Sequence, residues 1–321
     1  MIRRILGLAV AAVATHAWAD YPVVVLNSAA ANITLIDPST RQVTETYAVG
    51  KEPHHLMPTP DGKTLLVANS VSNNLMFIDP KTGKVTRTLE GIEDPYQLGF
   101  SPDGKWFVTN GLRLDRVDIY RYANGSFTLA KRIPLGKTPS HMTFSSDGKL
   151  VFITLQDSNE LAAIDLATQQ VAWRMPVGKT PAGLWLTPHD QYLLIGMTGE
   201  DNVEVVDWRN RTIVKRIQTG RGAHNFRPLN DGRHVFVTNR VDSTISLLDQ
   251  ISLTKVKDIG GLRPGPDDME LTPDGHYLWV TFRFSKSVGV IDLTSDKLVS
   301  IIPVGRSPHG LYFHNRRPWM N

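Results

Sequence analysis

The feature that most restricts how this chain can fold is a repeat. Leu56 to Gly91 reads LMPTPDGKTLLVANSVSNNLMFIDPKTGKVTRTLEG, four apolar-rich runs separated by turn signals. The same grammar returns along the chain at a period of about 42 residues, in the range that marks a repeat architecture. A unit of four short strands cannot bury its apolar faces alone. A ring of such units can, each packed on its neighbours, and that is a β-propeller. An Asp-Gly turn recurs at Asp61-Gly62, Asp103-Gly104, Asp147-Gly148, Asp231-Gly232 and Asp274-Gly275, with His189-Asp190-Gln191 standing in its place once. A strand-three aspartate recurs at Asp37, Asp79, Asp118, Asp165, Asp207, Asp249 and Asp292. Asp37, Asp79 and Asp165 each precede a threonine by three, which suits an Asx-type bond pinning the hairpin turn. Glycines follow the outer strands at Gly50, Gly91, Gly136, Gly178, Gly220, Gly261 and Gly305. Both series predict seven blades.

The two ends of the chain complete the count. After Asp20 come three strand patterns, Val23 to Asn27, Asn32 to Asp37 and Gln42 to Gly50, where a full blade needs four. Ser307 to Phe313 (SPHGLYF) reads as a lone innermost strand. Pairing Leu311 to Phe313 with Val23 to Leu26 closes the ring and removes its exposed edges. The expectation is an all-β, seven-bladed propeller with four antiparallel strands per blade, forming a single domain over residues 20–321. Arg316 to Asn321 reads as a short tail.

Residues 1–19 read as an export signal. Arg3 and Arg4 form a positive start, Ile5 to Ala14 is an apolar run, and Ala17-Trp18-Ala19 offers small residues for cleavage after Ala19. The run is too short to span a bilayer. This predicts a periplasmic or secreted protein with no membrane span after cleavage. Loss of Arg3 and Arg4 leaves 33 basic residues of the chain's 35 against 31 acidic ones. That balance is not the footprint of a dedicated nucleic-acid binder. With no cysteine in the chain, disulfides, thiolate metal sites, cysteine nucleophiles and covalent haem attachment through paired cysteines are all excluded.

SPDGKWFVTN (Ser101 to Asn110), HVFVTN (His234 to Asn239) and TPDGKTLLVAN (Thr59 to Asn69) resemble the YVTN repeats, as do NNLMFIDPKTGKV and STISLLD. The resemblance spans the whole chain after residue 19. It implies a propeller similar to the haem d1 domain of cytochrome cd1 nitrite reductase, with lactonase-type propellers and the heavy subunits of amine dehydrogenases as more distant relatives. A fold shared by so many chemistries does not name a function, so function has to be argued from the site.

In a propeller the innermost strands line a central channel. Each is entered here after a proline or glycine, and the entry pairs are His54-His55, Tyr96-Gln97, Ser140-His141, Ala182-Gly183, Ala223-His224, Asp267-Asp268 and His309-Gly310. Five of the ten histidines fall at these equivalent places. His55, His141, His224 and Asp268 share one offset. Converging on the axis, neutral imidazoles and a carboxylate would suit a divalent metal such as Zn, Cu, Ni or Fe. By the resemblance, one histidine would serve as axial ligand to a haem-type tetrapyrrole. The same residues would equally serve as hydrated rim groups or as acid–base groups. Asp267 and Asp268, with Glu270 nearby, could hold a cation or supply a base, and strand alternation would let one of the two aspartates face the channel. Arg113, Arg240 and Arg283 follow second strands and would give one face a basic rim for anions, or make local salt bridges.

The candidate rim is therefore His54, His55, Tyr96, Gln97, His141, His224, Asp268, His309, Arg113, Arg240 and Arg283. No nucleophile elbow, phosphate-binding glycine loop, HExxH or EF-hand loop occurs. The leading expectation is a monomeric, non-catalytic binding or scaffold propeller that presents this rim to a small ligand, a metal or a periplasmic protein. The alternatives are a metal- or tetrapyrrole-dependent enzyme and, less favoured by the charge balance, a binder of nucleic acid or anionic polymer.

Overall fold

The computed structural model describes residues 21–316. The export-signal reading of residues 1–19 and most of the expected tail lie outside the described residues. The chain forms seven four-stranded antiparallel sheets arranged as a ring. The innermost strands of blades 1 to 6 are Pro53–Pro58, Pro95–Phe100, Pro139–Phe144, Pro181–Leu186, Ala223–Pro228 and Pro266–Leu271. The seventh sheet closes the ring. The C-terminal strand Pro308–Tyr312 lies beside Val23–Asn27, in a register that sets Tyr312 opposite Val24 and Leu311 opposite Val25. The join of the two chain ends anticipated from the repeat count is the one observed.

Why these residues make blades is visible in burial. The second and third strands of each blade are apolar on both faces because both faces meet neighbouring blades, so runs such as Leu65–Asn69 and Asn74–Ile78 are buried throughout. Outer strands such as Val85–Glu90 are mostly exposed and carry alternating polar residues. Apolar clusters sit between adjacent blades. One holds Val108, Val117, Ile133, Ile153 and Ile164 between blades 2 and 3. The turn aspartates act as expected. Asp37 Oδ1 accepts the Thr40 N–H at 2.9 Å, and Asp165 Oδ1 accepts the Thr168 N–H at 2.8 Å. Asp118 departs from the series and instead pairs with Arg116 at 3.0 Å.

Two details of the innermost strands position the site. The pairing register slips at each entry, between Pro53 and Leu56 in blade 1, Pro139 and Met142 in blade 3, Ala223 and Phe226 in blade 5, and Pro266 and Met269 in blade 6. A bulge at this place bends the strand and re-aims its side chains. In addition, a hydroxyl on the second strand of one blade holds the entry carbonyl of the next. Thr154 Oγ1 donates to Ala182 O at 2.8 Å, Thr238 Oγ1 to Asp267 O at 3.1 Å and Thr281 Oγ1 to His309 O at 3.0 Å. Blade-to-blade spacing at the axis is thus fixed by buried hydrogen bonds as well as by packing. Blade 4 contributes no side chain at its second entry position, because a Cβ on Gly183 would lie 2.0 Å from His224 O.

Candidate metal centre on the propeller axis

All five entry histidines meet at one end of the channel. The rings form a continuous pack: His54 to His309 centroids are 3.9 Å apart, His55 to His309 4.7 Å, His55 to His141 5.6 Å and His141 to His224 4.8 Å. Tyr96 stacks on His54 at 4.0 Å. His54, His141, His224, His309 and Asp267 are essentially without solvent exposure. What reads in the sequence as a rim is a buried plug. Burial is the main cause that holds His54, His141, His224 and His309 well below the ordinary histidine range and brings His55 down to about 4. The imidazoles are therefore neutral at physiological pH.

Their hydrogen bonds fix which nitrogen is free. His55 Nδ1 lies 2.7 Å from the Tyr96 carbonyl oxygen, so this nitrogen carries the proton, and it also faces His54 Nδ1 at 2.9 Å. Thr198 Oγ1 donates to Ala223 O at 3.1 Å, so His224 Nδ1, at 3.1 Å from the same hydroxyl, is the donor to it. His141 Nδ1 is engaged by Ser140 Oγ at 2.7 Å. In each case Nε2 is the remaining nitrogen. Nε2 of His55, His141 and His224 and both ring nitrogens of His309 are buried with no hydrogen-bond partner among the described residues. Buried polar atoms are ordinarily paired, and an unpaired one costs about 1–3 kcal/mol. At His55 and His224, an oxygen acceptor at Nδ1 with the lone pair at Nε2 left open is the arrangement that orients histidines toward a metal.

Two subsets of these donors have their ligand atoms within 4.8 Å of one another: His54, His55 and His309, and His224, Asp267 and His309. His309 belongs to both. Asp267 Oδ1 stands 3.5 Å from His224 Nε2 and 3.7 Å from His309 Nε2.

These groups differ from the four-residue metal set drawn from one shared offset. The rings of His55, His141 and His224 do pack together, but at ligand distance His224 stands with Asp267 and His309, and His55 with His54 and His309, while His141 and Asp268 belong to neither group. The reason is the start of blade 5: its innermost strand begins at Ala223, as the others begin at Pro53, Pro266 and Pro308, so His224 shares the first position after the start with His54, Asp267 and His309, while His55, His141 and Asp268 share the second. Asp268 faces the interior of the channel, where its carboxylate accepts the Leu311 N–H at 3.2 Å and the Met269 N–H at 2.9 Å. Burial, with Asp267 and Glu270 close by, pushes it up to about 7.

The three arginines divide. Arg240 and Arg283 both bind Asp267. Arg240 Nε is 3.1 Å from Oδ1, with a second, closer contact through its terminal nitrogen, and Arg283 is 3.3 Å from Oδ2. Arg113 sits apart, paired with Asp94 at 2.6 Å and Glu52 at 2.9 Å. It is a local salt bridge and not a member of the axial group. Gln97 lines the channel and binds the backbone of Met142 on the next blade.

The channel beyond the histidines encloses about 230 Å³ and is lined by Leu98, Phe100, Phe144, Leu184 and Phe226 among others. Towards the end of the innermost strands lies a second buried group that the repeat pattern did not single out. Arg227 Nε binds Glu270 Oε1 at 2.6 Å, and Arg316 reaches back to Glu270 Oε2 at 2.9 Å. Arg316, expected at the start of a free tail, is instead tied to the channel.

Comparison with known proteins agrees with this architecture. Residues 5–319 match the YNCE-like beta-propeller family, and the chain belongs to that family. No curated protein matches the sequence. Among solved structures, a functionally unknown protein from Desulfotomaculum acetoxidans superposes with a TM-score of 0.78 at 17% identity, covering 91% of this chain and 98% of its own. The dihydro-heme d1 dehydrogenase NirN, in complex with DHE, gives 0.71 at 17% identity over 94% of this chain and 77% of its own. A Bacteroides uniformis protein provisionally described as a 6-phosphogluconolactonase gives 0.72 at 17% identity over 92% of this chain and 99% of its own. These likenesses establish a shared fold, including with a haem d1-type propeller. Among the described residues no helix is long and apolar enough to cross a membrane.

Proposed function

We propose that this protein is a non-catalytic binding propeller of the periplasm whose axial histidines hold one transition-metal ion. The observation that carries the reading is the set of buried, partnerless Nε2 atoms on His55, His141, His224 and His309. Nδ1 of His55 and of His224 already has an oxygen partner, and the ligand atoms of His224, Asp267 and His309 lie within 4.8 Å of one another. Imidazole donors without thiolates suit Cu, Zn, Ni or Fe. A tetrapyrrole fits the channel poorly. Its volume of about 230 Å³ is below the ~300–1,000 Å³ of cavities that enclose ligands of drug size. The room available suits an ion. The periplasmic location rests on the apolar N-terminal segment and its Ala17-Trp18-Ala19 cleavage pattern.

Elemental analysis of purified protein, followed by metal titration of the chelator-stripped chain, tests this reading. One ion per chain is expected. His309→Leu removes the member common to both ligand subsets, and it should weaken binding by at least about 100-fold, in the range seen when a metal site loses part of its support. A chain that takes up no metal, or a His309→Leu variant that binds as well as the parent, overturns the proposal.

A further inference from the structure

We propose that the ion is cuprous copper, and that Arg240 and Arg283 are the residues that select it over divalent ions; this rests on the metal-binding reading above.

The argument begins with charge. Histidines that ligate a metal are neutral, so they add no charge to the site. The one carboxylate in the group, Asp267, is already bound by two guanidiniums, Arg240 and Arg283. All three side chains are largely removed from water, with Asp267 at 0% exposure and the two arginines at 16% and 24%. Before any metal enters, Asp267 and its two arginines together therefore carry one net positive charge. Burying charge without compensation is costly, and the cost climbs with the charge buried. A divalent ion would raise the local charge to three, a monovalent ion to two. Zinc and nickel would also gain from a carboxylate ligand, and Asp267 is already engaged by the two arginines.

The second observation is softness. Met57, Met142 and Met269 line the channel that adjoins His55 and His141. Thioethers favour Cu(I), and imidazole accepts copper readily, whereas carboxylate and water suit the hard ions. Met142 and Met269 belong to the apolar cores between blades, so the donors at the channel's end are imidazoles, and the chain has no thiolate to add to them.

The test uses the metal-free full-length chain under anaerobic conditions. Cu(I) is titrated in competition with bathocuproine disulfonate, and Zn(II) in competition with a chromophoric zinc chelator. The expected result is one Cu(I) per chain, bound at least 100-fold more tightly than Zn(II). Arg283→Gln removes one positive charge and loosens Asp267, so Zn(II) affinity should rise about tenfold while Cu(I) affinity changes less than threefold. Arg240→Gln, whose hold on Asp267 is closer, should move the ratio further in the same direction, and a far-ultraviolet spectrum matching the parent shows that each variant is folded. Zn(II) bound as tightly as Cu(I) by the parent overturns the cuprous assignment and leaves the metal-binding reading standing. An unchanged Zn(II)-to-Cu(I) ratio in both folded variants overturns the selecting role of the arginines. Failure to bind either ion sinks the metal-binding reading itself.

Discussion

Toward the exit of the innermost strands, a buried carboxylate is fully answered by the protein: Glu270 is held by Arg227 and by Arg316, and both Arg227 and Glu270 are essentially unexposed. At the entry end, buried polar groups are left partly open. Asp267 is answered by two arginines, but the Nε2 atoms of His224 and His309 beside it, 3.5 and 3.7 Å from its Oδ1, make no hydrogen bond among the described residues. Both ends are far from water, so both incur the desolvation cost of polar groups. The difference teaches which end serves the fold and which is reserved for something else. A closed ion-pair network fixes one arrangement of the blades, whereas buried polar atoms without a partner call for an explanation, which the proposed metal ion would supply.

Acid should separate the two ends most strongly. In the unfolded chain the five axial histidines take up protons below about 6.5. In the folded chain they resist protonation to much lower pH, His55 to about 4. The unfolded state then binds more protons, so their contribution is complete above about pH 6.5 and is lost as pH falls. Arg240 and Arg283, which face the same cluster, oppose protonation, and Asp267 favours it. Asp268, raised to about 7, acts in the opposite sense and gains stability as pH falls below 7, but it is one group against five. Metal-free protein should therefore lose stability as pH falls from about 6.5 to 4. Urea melts at half-unit pH steps measure this, and a midpoint that holds steady across that window would remove the distinction drawn for the entry end.

The exit end should respond to mutation rather than to acid. Glu270→Ala takes from the buried Arg227 the carboxylate it binds, and breaking a buried pair from one side costs about 3–5 kcal/mol. The expected outcome in urea denaturation is a loss of that size with metal affinity within threefold of the parent. A loss under about 1 kcal/mol, the range of an exposed pair, would show that Arg227 finds water or another partner, and the contrast between the ends would weaken.

The smallest effect is expected at Arg113, outside both groups. Its side chain is 44% exposed, and Asp94 keeps the Arg113 and Leu114 N–H groups at 2.6 and 3.2 Å when the guanidinium is removed. Arg113→Gln should cost less than about 1 kcal/mol and leave metal binding unchanged. A large loss of metal binding in this variant would return Arg113 to the axial site from which the structure separates it.

The ring was legible from the sequence because its information is periodic. Apolar runs, Asp-Gly turns and the glycines after outer strands repeat the same local physics around the ring, so the blade count and the pairing of the two chain ends follow from the pattern alone. The entry histidines were legible as a set for the same reason, since equivalent positions in a ring point to one axis. Which entry residue reaches the axis was not legible. Blade 5 lacks the proline that marks the other entries, and only strand pairing shows that Ala223, opposite Asn239, stands where Pro53 stands opposite Asn69. Grouping His224 with Asp268 instead of Asp267 failed on this point. Burial was equally hidden: a histidine after a proline reads as rim, and only the packing of five rings and Tyr96 turns that rim into a closed core. Arg227, Glu270 and Arg316 come from blade 5, blade 6 and the segment after the last strand, with no common spacing. The sequence by itself determined the blades, their number and the closure of the ring. The tertiary structure decided which donors face one another and which remain unpaired, because those properties belong to distances between blades, and no single repeat contains them.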